Sequence, residues 1–194
     1  MAKYVVDADG FILQGTFKGY HLIHIAAKDN CVDLIEANKE FVNIAAKTSQ
    51  EETPLHIGVS FMCSISALNA LLRCDAETEA KNKLGQTPLL YACVNANQAG
   101  RIESLLAHKA NPNARSSIGD TPIMRAVAFG PAENVKLLID GGAEIDAVQT
   151  GGYFYRGWSA IEMCRDSECL DLLERARKFQ ESEAVVQGTA RIAY

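Results

Sequence analysis

Residues 119–126 read Gly119-Asp120-Thr121-Pro122-Ile123-Met124-Arg125-Ala126, and a second apolar stretch runs from Val135 to Ala147. The first backbone N–H groups of a helix lack partners, and a threonine hydroxyl such as that of Thr121 caps them. Pro122 suits the first helical position, where its missing N–H costs nothing and its φ is already set. Val135, Leu137, Leu138 and Ile139 form the apolar face of a second helix. Gly141-Gly142 ends that helix, because glycine takes the left-handed conformation that helix C-termini favour. About thirty residues of this kind cannot bury their own apolar faces, so the unit needs neighbours like itself.

The neighbours are present. Gly85-Gln86-Thr87-Pro88-Leu89-Leu90-Tyr91-Ala92 repeats the helix start, with Ile102, Leu105 and Leu106 as the second helix and Asn113-Ala114 closing the loop. Thr53-Pro54-Leu55-His56-Ile57-Gly58 repeats it again, followed by Ile65, Leu68, Leu71 and Leu72. The steps are equal: 87 − 53 = 34 and 121 − 87 = 34. A fixed recurrence of this length is the signature of stacked repeats.

These residues resemble the ankyrin repeat, whose helix start is Gly-x-Thr-Pro-Leu-His-x-Ala on a period near 33. Weaker copies flank the clear ones. Gly19-Tyr20-His21-Leu22-Ile23-His24-Ile25-Ala26 keeps Gly, His and Ala without Thr-Pro, and Gly157-Trp158-Ser159-Ala160 keeps a capping hydroxyl with alanine in place of proline. Atypical end copies are expected, since each has one face in water. The resemblance implies an all-α solenoid of about five stacked helix pairs with β-turn fingers, in repeats of about 19–50, 51–84, 85–118, 119–156 and 157–178. Residues 1–18 are expected to form a short β-like cap, and 179–194 a tail that is either a strand or a disordered end.

Spacing between the copies predicts local departures. The 34-residue steps place one extra residue between the helices of the second and third repeats. In the first repeat, 43 − 26 = 17 steps separate Ala26 from Asn43, against 146 − 126 = 20 between Ala126 and Asp146. The turn between its helices is therefore expected to be cut short. From Thr121 to Ser159 the step is 159 − 121 = 38, and the excess falls in Val148 to Arg156. This loop is a finger in the family. Of the chain's 7 Phe, 6 Tyr and 1 Trp, four rings lie close together here, at Tyr153, Phe154, Tyr155 and Trp158.

Bulk properties narrow the function. The formal net charge is −5, from 19 basic and 24 acidic residues. Nucleic acid and anionic membranes call for a basic patch, so neither is expected as a partner, and the balance suits a basic protein. No apolar run reaches the length of a membrane span, and the N-terminal residues lack a signal-peptide apolar stretch. The six cysteines form no close metal pair, and Cys93 and Cys164 fall where the repeat places small buried residues. A reduced, cytoplasmic protein is expected, with a secreted effector lacking a cleavable signal as the other reading.

No pattern of catalytic residues stands out. Asp7 and Asp9 lack the further ligands of a calcium loop. His21 and His24 share a helix face, but a zinc site needs two more ligands at a familiar spacing. His24 and His56 occupy the family's histidine position, where the ring bonds backbone between adjacent turns. Cys164 and Cys169 have no activating base around them, and phosphate-loop and hydrolase motifs are missing from the sequence. Neither catalysis nor a cofactor nor a metal is expected.

The expected function is protein recognition by a chain that is monomeric on its own. Aromatic rings and arginine dominate interface energetics, because they bury much area at little entropic cost. Tyr153, Phe154, Tyr155, Arg156 and Trp158 on the lengthened finger are the sharpest candidates. The family's cupped face adds the finger tips Lys83, Leu84, Gln86, Ser117, Ile118 and Asp120, with Phe61, Tyr91, Arg125 and Phe129 from the first helices. A dedicated inhibitor or immunity-type protein that blocks one enzyme or toxin is the narrower alternative.

Overall fold

A computed structural model of the chain describes residues 20–37, 43–59, 63–94, 97–151 and 155–192. The expected cap at 1–18, the finger residues Tyr153 and Phe154, and Phe61 lie outside the described residues.

Helices come in consecutive pairs. They are α1 (Leu22–Lys28) with α2 (Val32–Ala37), α3 (Pro54–Gly58) with α4 (Ile65–Arg73), and α5 (Pro88–Ala92) with α6 (Ala99–Ala107). Then follow α7 (Pro122–Phe129) with α8 (Ala132–Asp140), and α9 (Ala160–Met163) with α10 (Ser167–Ile192). First helices pack on first helices in the order α1, α3, α5, α7, α9, and second helices on second helices from α2 to α10. The Thr-Pro segments therefore form successive layers of one stack.

Between the two rows runs a continuous core that includes Ile23, Leu55, Leu68, Leu71, Leu89, Ile102, Leu105, Ile123, Val135, Leu138 and Leu173. Its members recur in each layer, so every pair is covered by the next. This is the physical content of a repeat protein: stability comes from the interfaces between units.

Thr53, Thr87 and Thr121 each stand at the N-cap with extended backbone and a proline behind them. Their hydroxyls do different work. Thr87 Oγ1 accepts from Leu90 N at 3.4 Å, whereas Thr121 Oγ1 is buried with no hydrogen-bond partner, so the expected side-chain cap is missing there. The second-helix stops are left-handed residues one repeat apart, Asp75 (φ 59°), Lys109 (φ 65°) and Gly142 (φ 88°). Glycine suits the position best, and an Asp or Lys there carries a cost on the order of 1 kcal/mol.

The inserted residues sit where the spacing predicts. Second helices start 65 − 53 = 12 and 99 − 87 = 12 residues after the capping threonine in the second and third layers, against 132 − 121 = 11 in the fourth. In the first layer the figure is also 11, from His21 to Val32. The expected shortening between α1 and α2 is therefore not found, because the helix–helix turn keeps full length and the deficit falls beyond Val32.

The C-terminal residues also differ from expectation. Helix α10 runs without a break through the boundary placed at 178, so 179–192 are helical rather than strand or disordered. Apolar periodicity fades after Leu173, but helix-forming residues continue, and Arg175–Asp171 and Arg177–Glu181 form i,i+4 ion pairs. Such residues hold a helix without a buried face. No helix among the described residues is long and apolar enough to cross a membrane.

Candidate functional site: the finger edge and first-helix face

Each layer is joined to the next by a finger, a tight turn just before the first helix. In the first three fingers an amide and a carbonyl four residues apart pair: Thr48 N with Glu52 O at 2.9 Å, Asn82 N with Gln86 O at 3.1 Å, and Ser116 N with Asp120 O at 3.1 Å. The turn requires a left-handed residue directly before the pair's second member, and Glu51, Gly85 and Gly119 supply it. In the fourth finger Gln149 N meets Trp158 O at 3.0 Å, so the separation is 158 − 149 = 9 instead of 4. Val148 and Ser159 form an antiparallel bridge at its base. The five added residues stand where the sequence put the excess.

Neighbouring fingers are tied tip to tip. Lys83 N donates to Gln50 O at 3.0 Å, Ser117 N to Leu84 O at 3.0 Å, and Gly151 N to Ile118 O at 2.8 Å. Side chains brace the same edge. Lys81 Nζ reaches Arg115 O at 3.0 Å, and Arg115 Nη1 donates to Gly119 O at 3.1 Å and Val148 O at 2.9 Å. The edge is thus a ribbon of hydrogen-bonded backbone running from finger to finger.

The expected contact residues separate into three groups. Lys83, Leu84, Ser117 and Ile118 point into solvent, and Leu84 is 63% exposed. Gln86 and Asp120 do not, with exposures of 5% and 6%. They are the last residues of their fingers, where the chain turns into the stack, and their side chains work inside it. Arg125 Nε meets Asp120 Oδ2 at 2.6 Å, and Ser116 Oγ bonds the other carboxylate oxygen. With its oxygen toward the guanidinium, the Gln86 amide accepts from Arg125 Nη2 at 2.7 Å and Nη1 at 3.1 Å. Arg125 is therefore tied down by its own layer and the one before.

The third group gathers at the lengthened finger. Tyr155 and Trp158 meet edge to face with centroids 5.6 Å apart. Tyr155, Phe129 and Met163 line one hollow, with Arg165 and Asp166 at its polar side. Phe129 ends α7 and is 67% exposed, while Trp158 and Arg156 are also exposed. Phe129, 155 − 129 = 26 residues before Tyr155 in sequence, is thus on one patch with Tyr155 and Trp158.

Two residues missed by sequence reasoning stand on the same face nearer the N-terminus. Tyr20 and Glu52 hold the position taken by Gln86, Asp120 and Trp158 in later layers, one residue before the helix cap. Aligning the copies on that column would have found them. Tyr20 lies edge-on to His24 at 5.6 Å, and Tyr91 edge-on to His56 at 6.4 Å. Burial, then the Glu52 charge, raises both phenols above their ordinary range. Burial also raises the Glu52 carboxyl.

The histidines are structural, as their column implies. His24 Nε2 lies 3.0 Å from Glu52 O and His56 Nε2 2.9 Å from Gln86 O, each ring bridging to the next finger. Among the described residues no group of three His, Cys, Asp or Glu side chains is placed to hold a metal ion. Burial raises the thiol of Cys93, which is fully enclosed, and pushes that of Cys169 up to about 12. Both are poor nucleophiles in that state.

The family model for ankyrin repeats (3 copies) matches residues 60–149. Residues 60–149 are thus ankyrin repeats, and the layered helix pairs and fingers outside that span follow the same arrangement. Ankyrin repeats generally mediate protein–protein interaction, and their domains are typically non-enzymatic. Among curated proteins, nothing matches the chain.

Proposed function

We propose that the chain is a protein-recognition module of about five repeats that grips its partner on the face built from the first helices and fingers, with the fourth finger as anchor. The observation that carries this reading is the meeting of exposed Phe129 with Tyr155 in one hollow, beside exposed Trp158. Large apolar side chains grouped in the open are unusual on a protein surface without a partner, and aromatic anchors supply most of an interface's energy. Leu84 and Ile118 extend the apolar surface along the finger tips. Tyr153 and Phe154 belong to the same anchor in this reading, as does Arg156. The acidic balance favours a basic partner, because opposite fields speed encounter.

The test is capture of partners by a tagged chain from its native cell, compared with Phe129→Ala and with Tyr155→Ala/Trp158→Ala. The stoichiometric partner is expected on the parent and lost from both variants, with helical content unchanged. Retention of that partner by both folded variants would sink the reading. A single enzyme captured in stoichiometric amount would mark the narrower role of dedicated inhibitor.

A further inference from the structure

The hollow beside Phe129 exists because neighbouring first helices differ in length. Helix α7 has 8 residues and α9 only 4. After Met163 the chain leaves helical geometry at Cys164 (ψ 130°), and Asp166 opens α10, its Oδ1 accepting from Cys169 N at 2.8 Å. Helix α9 is thus too short to cover the last turn of α7, Val127 to Phe129. The space left is a hollow of about 370 Å³ lined by that turn, Tyr155, Met163, Arg165 and Asp166. Sites for small ligands start at about 300 Å³, so one large side chain fits with the backbone that carries it. The walls are apolar: Phe129 and Tyr155 supply rings, and the nearly buried Met163 a thioether. Tyr155 is held by packing on the core and by its contact with Trp158. The two charges at the rim are not equivalent. The Asp166 carboxylate is committed to the start of α10. The Arg165 guanidinium is exposed, and among the described residues it enters no ion pair and no side-chain hydrogen bond.

From this arrangement we infer that the hollow receives one aromatic side chain of the protein partner, and that Arg165 binds a carboxylate on the partner residue next to it. An inserted ring meets the faces and edges of two others and the sulfur of Met163, contacts that favour an aromatic over an aliphatic occupant. It also takes the exposed ring of Phe129 out of water. The planar fork of Arg165 matches a carboxylate in two parallel hydrogen bonds, whereas a cation at that point would be repelled. The inference rests on the proposed function for the claim that a protein docks on this face, and it names that protein's chemistry at the anchor. The net charge of −5 acts at long range; the contact at the hollow is set by Arg165, so even a basic partner carries an acidic residue there.

The experiment titrates the full chain with N-acetyl-phenylalanyl-glutamate amide and follows the Met163 methyl and the Phe129 and Tyr155 ring signals by NMR. The comparison probes replace glutamate by glutamine or by lysine, or phenylalanine by alanine. Saturable shifts at all three residues are expected with the acidic aromatic probe. Binding should be several-fold weaker with glutamine, weaker still with lysine, and at least tenfold weaker with alanine. Added salt should weaken the acidic probe in the parent but not in Arg165→Gln, and Arg165→Glu should reverse the preference towards the lysine probe. Phe129→Ala should weaken every aromatic probe about tenfold, while Lys136→Gln, on α8 outside the hollow, should titrate like the parent. Equal binding of the glutamate and lysine probes, or an unchanged salt dependence in Arg165→Gln, would overturn the inference. So would a dimer in sedimentation that Phe129→Ala makes monomeric, since the occupant would then be a second copy. If Arg165→Gln changes nothing while Phe129→Ala loses the captured partner, the acidic-neighbour inference fails and the finger-side interface stands. The expected titration in a chain whose finger variants keep their partner would give the reverse.

Discussion

His56 Nε2 lies 2.9 Å from the carbonyl oxygen of Gln86, so a ring on one layer closes the finger of the next. His24 and Glu52 repeat the bond one layer earlier at 3.0 Å. Both rings are fully buried, and in the next two layers Leu90 and Met124 take their place. Burial disfavours the charged ring, so His24 is pushed down to about 4 and His56 is lowered in the same direction.

This couples stability to pH with a definite sign. The unfolded chain takes up a proton at His24 below about pH 6.5, while the folded one resists until about 4. The contribution is whole above pH 6.5 and is lost as pH falls towards 4, where the slope flattens. The loss is on the order of 3 kcal/mol for His24, with His56 adding to it. Denaturant melts across pH 7.5 to 4 should show the decline, and His24→Leu should flatten it. An unchanged slope in that variant would remove His24 as the cause.

Gly119 and Gly142 both have positive φ, yet substitution should cost different amounts. A Cβ on Gly119 would fall on the Thr150 side chain and stand 2.9 Å from its backbone nitrogen, whereas one on Gly142 meets nothing within 4 Å. Gly142→Ala should therefore cost only the backbone term, about 1 kcal/mol. Gly119→Ala adds a clash at the joint between the third and fourth fingers and should cost about 3 kcal/mol or more. Chemical denaturation of the two variants decides it.

The hydroxyls of Thr87 and Thr121 make a matched pair. Thr87→Val removes a cap acceptor and should destabilise by about 1 kcal/mol. Thr121→Val replaces a buried hydroxyl without a partner by a methyl of the same shape, which should be neutral or stabilise by about 1 kcal/mol. Equal losses in both would show that Thr121 Oγ1 is satisfied in solution.

Asp120→Ala should destabilise by about 2 kcal/mol or more, since it strands Arg125 in a mostly enclosed position. Asp120→Ala/Arg125→Met removes both charges and should recover most of that loss. Melting temperatures of the single and double variants test the coupling.

The layers were legible because each clear copy carries Thr-Pro at the same point, and 34-residue steps located the inserted residues correctly. The long finger was legible from the 38-residue step. What sequence missed was orientation. Gln86 and Asp120 look like tip residues by their polarity, but they follow the left-handed glycine that turns the chain inward. Tyr20 differs chemically from Gln86 and Asp120, so only the shared column relates it to them. The tail defeated periodicity for another reason: beyond Leu173 α10 carries ion pairs along its own surface and is tied to the stack by polar side chains, Arg177 to Asp146 and Gln180 to Ala143 O, which leave no apolar rhythm to read.

Along the finger edge, each junction from Gln50/Lys83 to Ile118/Gly151 has one tip-to-tip backbone bond, braced by a Lys81 or Arg115 side chain in the later two, whereas the helix rows share a sheet of leucine and isoleucine. Such a body is stiff on one side and compliant on the other. Prising two fingers apart breaks only a few hydrogen bonds; separating the rows would wet an entire seam of hydrocarbon. Bending is accordingly confined to the ribbon, and a bound molecule wedged there could set the arc of the stack without disturbing its spine.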